Sequence, residues 1–212
     1  MIPIRRLAGE LPPLAAVSPA TVDGGWLALR QAWRPDGHEE RFQPGWARIR
    51  WSPDAFWIET IFGGGRATNR ATRLNERTWE LGDVAEVFLE EVGDFRYLEL
   101  HVTPENQRLQ LRFGHGEVDL LRAGAAAFAS FLVADPEWVT SETFRADDHW
   151  STRMRLPAAR FGRGPLAPGR RFRGSVCRYD CASPQATVLS ATASLAEPNY
   201  HRRADWDDFL LV

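Results

Sequence analysis

Residues 78–106, TWELGDVAEVFLEEVGDFRYLELHVTPEN, constrain the fold of this chain most, because they contain two runs of strict alternation. In the first run Ala85, Val87 and Leu89 point one way and Glu86, Phe88 and Glu90 the other; in the second, Leu98, Leu100 and Val102 oppose Tyr97, Glu99 and His101. Successive side chains of a strand alternate between faces, so a period of two marks strands with one face on a core. The opposite face gathers acidic and aromatic side chains and reads as a binding surface.

The same punctuation recurs along the chain. Residues 46–51 and 55–62 are strand-like runs on either side of Ser52-Pro53-Asp54, which predicts a hairpin. Residues 108–113 alternate again, with Leu109, Leu111 and Phe113 read as inward and Arg108, Gln110 and Arg112 as outward. Further strands are expected at 138–144, 150–156, 172–179, 186–193 and 209–212. About ten short strands with turn signals and no βαβ rhythm predict an all-β fold, an antiparallel β-sandwich of jelly-roll-like connection and immunoglobulin-like layers. With 212 residues the chain is long enough for one such domain, read as 22–212, after an irregular Pro- and Ala-rich lead-in over 1–21. The Ala-rich stretch 122–133 suits a short helix or a strand equally, and 63–77, with three Gly and four Arg, suits a loop beside a site.

Composition removes several function classes. All 26 basic residues are Arg, so no lysine is present for a Schiff base or a P-loop, and Gly63-Gly64-Gly65-Arg66 lacks the P-loop spacing. A net charge of -2 with scattered Arg argues against a nucleic-acid partner. Cys177 and Cys181 would lie ~13 Å apart in a continuous strand and are read as free thiols, compatible with a reducing compartment. The N-terminal residues have no sufficient apolar segment for an export signal, and no apolar run approaches ~18 residues, so neither export nor membrane insertion is expected and the default location is cytoplasmic.

If the three central strands are neighbours ~4.8 Å apart, Glu86, Phe88, Tyr97, Glu99, His101, Arg108, Gln110 and Arg112 form one surface. Carboxylates, Arg and Gln can pair with hydroxyl groups, and an aromatic ring packs on the C–H face of a pyranose. That chemistry suits a sugar.

Trp79, Gly82-Asp83, the strand Glu86-Val87-Phe88-Leu89 and the run from Tyr97 to Pro104 resemble, in order, the landmarks of family 9 carbohydrate-binding modules and their DOMON-like relatives. Downstream, Trp150 with Met154-Arg155-Leu156-Pro157, Pro168-Gly169 before the strand at 172–179, and Pro198-Asn199-Tyr200-His201 continue the resemblance, which covers 45–212. It implies a non-catalytic domain that clamps a mono- or oligosaccharide between two rings. Trp79 matches the first ring and Glu86 the acidic residue after it; Arg108 and Arg178 match the family's Arg positions. Asn199 and Tyr200 stand where the second ring is expected. The family also implies an extracellular setting and a structural calcium ion, for which Asp147-Asp148 or residues 205–208 offer oxygen ligands; no other cofactor is required.

Other readings stay open at this point. One is a sandwich that has lost sugar binding and serves as an interaction or structural domain. Another is a haem domain using His101 and His201, since Met154 shares its face with Trp150 and Leu156 in a core pattern. A third is a glycoside hydrolase using Glu86 and Glu99. Each carboxylate also has a structural alternative, Glu86 as an ion pair with Arg108 or Arg178 and Glu99 as part of a solvated face.

Overall fold

A computed structural model of the chain describes residues 1–181 and 187–212. Twelve strands among the described residues build two packed sheets. In chain order they are β1 (Ile2–Ile4), β2 (Leu27–Ala28), β3 (Gly45–Ser52), β4 (Ala55–Gly63), β5 (Val84–Glu91), β6 (Tyr97–Val102), β7 (Arg108–Phe113), β8 (Thr140–Arg145), β9 (His149–Pro157), β10 (Arg171–Asp180), β11 (Val188–Ala191) and β12 (Asp207–Leu211). One helix, α1 (Glu117–Arg122), and several short 3-10 turns complete the described fold. The expected strand at 186–193 is β11, and Ala186 lies outside the described residues.

The first sheet has the order β1-β12-β10-β5-β6-β7, with β11 also paired to β10; the second has the order β2-β3-β4-β9-β8. All pairings are antiparallel except β1 with β12. The antiparallel sandwich expected from the alternation is the observed architecture. Within the expected irregular lead-in, Ile2–Ile4 instead forms an edge strand, because Ile4 is apolar enough to enter the core and its backbone completes the ladder of β12.

The core between the sheets takes the apolar sides of the alternating runs. Ala85, Val87, Leu89, Leu98, Leu100 and Val102 meet Phe56, Ile58, Trp150 and Met154 of the second sheet. Met154 is fully enclosed there, which leaves it unable to ligate a haem on the opposite face. The outer face of the second sheet is closed by ion pairs: the Glu59 carboxylate is held by Arg48 at 2.9 Å, Arg50 at 2.6 Å and Arg153 at 2.9 Å.

Both faces of the central strands β5 and β6 of the first sheet are buried. A second apolar cluster covers its outer side, built from Phe88, Tyr97, Leu109, Leu111, Phe113, Phe131, Tyr200 and Trp206. Two returning segments make this cover. The segment after β7 forms α1 and a 3-10 turn at Phe128–Phe131, then runs back along β7 through a Leu111–Leu132 bridge. The Ala-rich stretch is therefore neither one helix nor one strand, consistent with its lack of a single period. The segment before β12 brings Asn199, His201 and Trp206 over β5 and β6, with Trp206 buried against Phe88 and Tyr97.

Candidate functional site

Between the first sheet and this cover lies a cavity of about 520 Å³. Its floor is the outer face of β5 and β6, carrying Glu86, Phe88, Glu99 and His101. Trp79, Phe128 and Tyr179 supply half-buried rings to its lining, with Arg77, Arg122 and Asn199 also bordering it. The volume lies within the ordinary range for small-molecule pockets.

The wall at Trp79 is pinned by local chemistry. Thr78–Glu80 is a 3-10 turn, and the Asn69 amide donates to the carbonyls of Thr78 (2.8 Å) and Asp83 (3.1 Å). Gly82 follows at φ +150, and a Cβ there would meet the Thr68 carbonyl oxygen at 2.2 Å, so this close approach requires glycine. The turn places the Trp79 ring edge-to-face with both His101 and Phe128, each at 5.7 Å.

The polar floor is deeply buried rather than open, with Glu86 2 %, Glu99 4 % and His101 2 % exposed. His101 is the hub: its Nδ1 shares a hydrogen bond with the Thr78 hydroxyl (2.8 Å) and its Nε2 with Glu99 Oε1 (3.0 Å). With both ring nitrogens engaged, His101 is not disposed as an iron ligand. Glu86 lies directly opposite His101 in the β5–β6 register, its Oε1 3.6 Å from His101 Nδ1. Neither Glu86 Oε1 nor Glu99 Oε2 has a hydrogen-bond partner among the described residues.

These surroundings set the protonation of the floor. Burial, reinforced by the negative charge of Glu99 and opposed by His101, pushes the Glu86 carboxyl up to about 8. Burial disfavours the His101 imidazolium, but Glu86 and Glu99 outweigh it and hold that group above its ordinary value. Burial lowers His201, which lies over the floor with its Nδ1 2.9 Å from the Tyr97 hydroxyl and 3.8 Å from Glu99 Oε2.

No protein-family model and no curated protein matches the sequence. Solved structures do. A candidate carbohydrate-binding protein from Bacteroides uniformis superposes with a TM-score of 0.72 at 17 % identity, covering 100 % of this chain and 98 % of that one. A family 9 carbohydrate-binding module from Caldicellulosiruptor kristjanssonii in complex with cellotriose gives 0.63 at 12 % identity, covering 99 % and 92 %, and its complex with glucose gives 0.62 at 12 %, covering 99 % and 95 %. The chain has the fold of a carbohydrate-binding module.

Within this carbohydrate-binding-module fold, Trp79, Glu86, Phe88, Glu99, His101, Asn199 and Tyr200, all expected at the site from the sequence, border one cavity. Tyr97 is on the same face but packs beneath the cover against Phe113 and Trp206. Tyr200 contributes only its ring: its hydroxyl donates to the Arg178 carbonyl (2.6 Å) and accepts from the Ser190 amide (3.0 Å).

Arg108 and Arg178 are elsewhere. The register Tyr97↔Phe113, Glu99↔Leu111, His101↔Leu109 places Leu109, Leu111 and Phe113 on the cavity side of β7, so Arg108, Gln110 and Arg112 take the other side, the reverse of the sequence expectation. Arg108 donates to the Val139 carbonyl, and the Gln110 amide to the carbonyls of Val133 (3.1 Å) and Asp135 (2.9 Å). Arg178 points between the sheets, donating to the Gly63 carbonyl at 2.9 Å and pairing with Asp180 at 2.9 Å. Glu86 is therefore paired with neither Arg.

Tyr179, Phe128, Arg77 and Arg122 border the cavity but were not singled out. Arg77 ends the 63–77 loop expected beside a site and Tyr179 ends the strand expected at 172–179, whereas Phe128 and Arg122 lie in the Ala-rich stretch with no clear period. The loop at 63–77 packs closely where it begins: a Cβ on Gly65 would meet the Asp147 carbonyl oxygen at 1.5 Å. Asp148 bonds His149 (2.7 Å), Asp205 bonds Arg202 (2.6 Å), and no group of three His, Cys, Asp or Glu among the described residues is arranged for a metal. Cys177 and Cys181 are free thiols.

Proposed function

We propose that this protein is a non-catalytic carbohydrate-binding domain that holds a mono- or oligosaccharide in the cavity above β5 and β6. The observation that carries this reading is Glu86: a carboxyl 2 % exposed, without a hydrogen bond among the described residues, on the floor of a ring-lined cavity. A buried acceptor without a donor is costly, and a ligand rich in hydroxyl groups removes that cost on binding. The Trp79, Phe128 and Tyr179 rings offer apolar surface for the C–H faces of a sugar. The sugar complexes of the two family 9 structures support the same reading.

A hydrolytic role fits less well. Two catalytic carboxyls flank the bond they cleave, whereas Glu86 and Glu99 stand side by side on one sheet face, both turned to His101. Calorimetric titration with a panel of mono- and oligosaccharides is expected to give saturable heat that Trp79→Ala abolishes. No heat across the panel would refute the sugar reading in favour of a sandwich serving as an interaction or structural domain.

A further inference from the structure

We propose that the sugar suited to this cavity bears a primary amine, whose ammonium group docks between the carboxyls of Glu86 and Glu99. The inference rests on the sugar-binding reading and specifies the chemical class of the ligand. The floor presents acceptors without matching donors. Both nitrogens of His101 are already bonded, to Thr78 and Glu99, while Glu86 Oε1 and Glu99 Oε2 are buried without a hydrogen bond among the described residues, with His101 Nδ1 3.6 Å from the first and His201 Nδ1 3.8 Å from the second.

Charge counting leads to the same class. Two carboxylates and one imidazolium leave the floor one positive charge short of neutrality. A hydroxyl pair supplies donors but no charge; an ammonium supplies three donors and the missing charge together. The other charged groups near the cavity do not fill this role. Arg77 pairs with Glu80 at 3.2 Å, and Arg122, on the exposed side of α1, bonds the Asn199 amide oxygen at 3.0 Å. Burial holds His201 toward its neutral form, and it keeps the thiol of Cys177, opposite Glu86 on β10, well above its ordinary value. A metal ion is a poorer fit, because no three His, Cys, Asp or Glu among the described residues are grouped to hold one.

In the empty cavity a proton on Glu86 restores neutrality, in keeping with its elevated pKa. An incoming ammonium displaces that proton: the carboxylic acid ionises, the carboxylate pairs with the ammonium, and the proton leaves to solvent. Binding of the amine-bearing sugar is therefore coupled to proton release, whereas binding of its neutral counterpart is not.

The test titrates the protein with matched neutral and 2-amino-2-deoxy hexoses of gluco and galacto configuration, each in two buffers of different ionisation enthalpy. The expected result is about tenfold tighter binding of one amine-bearing sugar than of its neutral partner. About one proton should be released per site. In Glu86→Gln the ratio of amine-bearing to neutral-sugar affinity should fall toward one and the proton release should vanish, whatever the change in overall affinity; Glu99→Gln provides a second isosteric variant. Equal affinities in the wild type, or a preference unchanged in both variants, would overturn the inference and leave the sugar reading intact. If neither these sugars nor the wider panel bind, both fall together.

Discussion

The Glu86 carboxyl carries a pH-dependent cost to the fold whatever its ligand. Its folded pKa is about 8 against an ordinary value of 4.5. Below 4.5 the group is protonated in both states and has no effect; between 4.5 and about 8 the unfolded chain gives up the proton and the folded chain keeps it. The native state then binds more protons than the unfolded one, so stability falls as pH rises through this window, at most by about 1.4 kcal/mol per unit. His101 adds to the trend, since a histidine whose folded pKa is raised loses its stabilising contribution as pH climbs through that value. Glu86→Gln removes the Glu86 term. Its melting temperature should lie closest to the wild type below pH 4.5, exceed it progressively up to about pH 8, and keep a constant margin above that. A difference that is constant with pH would show that Glu86 is not buried as an acid.

β7 decides which side chains reach the cavity. Its alternation was plain in the sequence, but its phase was not, because a shift of one residue in the connection after β6 turns every side chain to the other face. That connection closes on Asn106 at φ 63, with the Asn106 amide bonded back to Thr103, and the turn fixes the register that puts Leu109, Leu111 and Phe113 against the cover. Leu111→Ala should consequently cost about 2–5 kcal/mol in chemical denaturation, as for a core leucine. Arg112→Ala should stay within about 0.5 kcal/mol, its side chain being exposed. The opposite ranking would show that Leu111 does not pack against the cover. Arg178 illustrates a related limit. It alternates correctly with Cys177 and Tyr179, yet nothing in the sequence reveals that the Gly63 carbonyl waits on the facing sheet. Because Arg178 is 1 % exposed and its guanidinium pairs with Asp180, Arg178→Met should destabilise the domain by about 3–5 kcal/mol without weakening sugar binding.

At the scale of the molecule, the sheets and the cover are built with unequal security. The sandwich is closed by long ladders and an enclosed apolar core, both foreshadowed by period-two patterns in the sequence. The cover has no such pattern, because residues 114–133 owe their path to β7 and to the closing segment more than to any local preference. α1 has only six residues, none of them buried, and no side-chain cap at Gly116. A helix of that length is marginal without tertiary support. Its support comes from Val118 and Leu121 packed on the outer cluster and from Arg122 on Asn199. The closing segment is tied more firmly, with Arg203 donating to Glu90 at 2.7 Å and Trp206 to the Tyr200 carbonyl at 2.8 Å. Local opening should follow this order. In native-state hydrogen exchange the amides of α1 should exchange through local openings, well before those of β5 and β10, with the closing segment between them. Since Val118, Leu121 and Arg122 also border the cavity, a bound ligand would need α1 in place, so saturating ligand should slow α1 exchange more than exchange in β5. Uniform protection of α1 and β5 without ligand would mean that cover and sandwich open as a single unit, and the cavity would then be pre-formed at every wall.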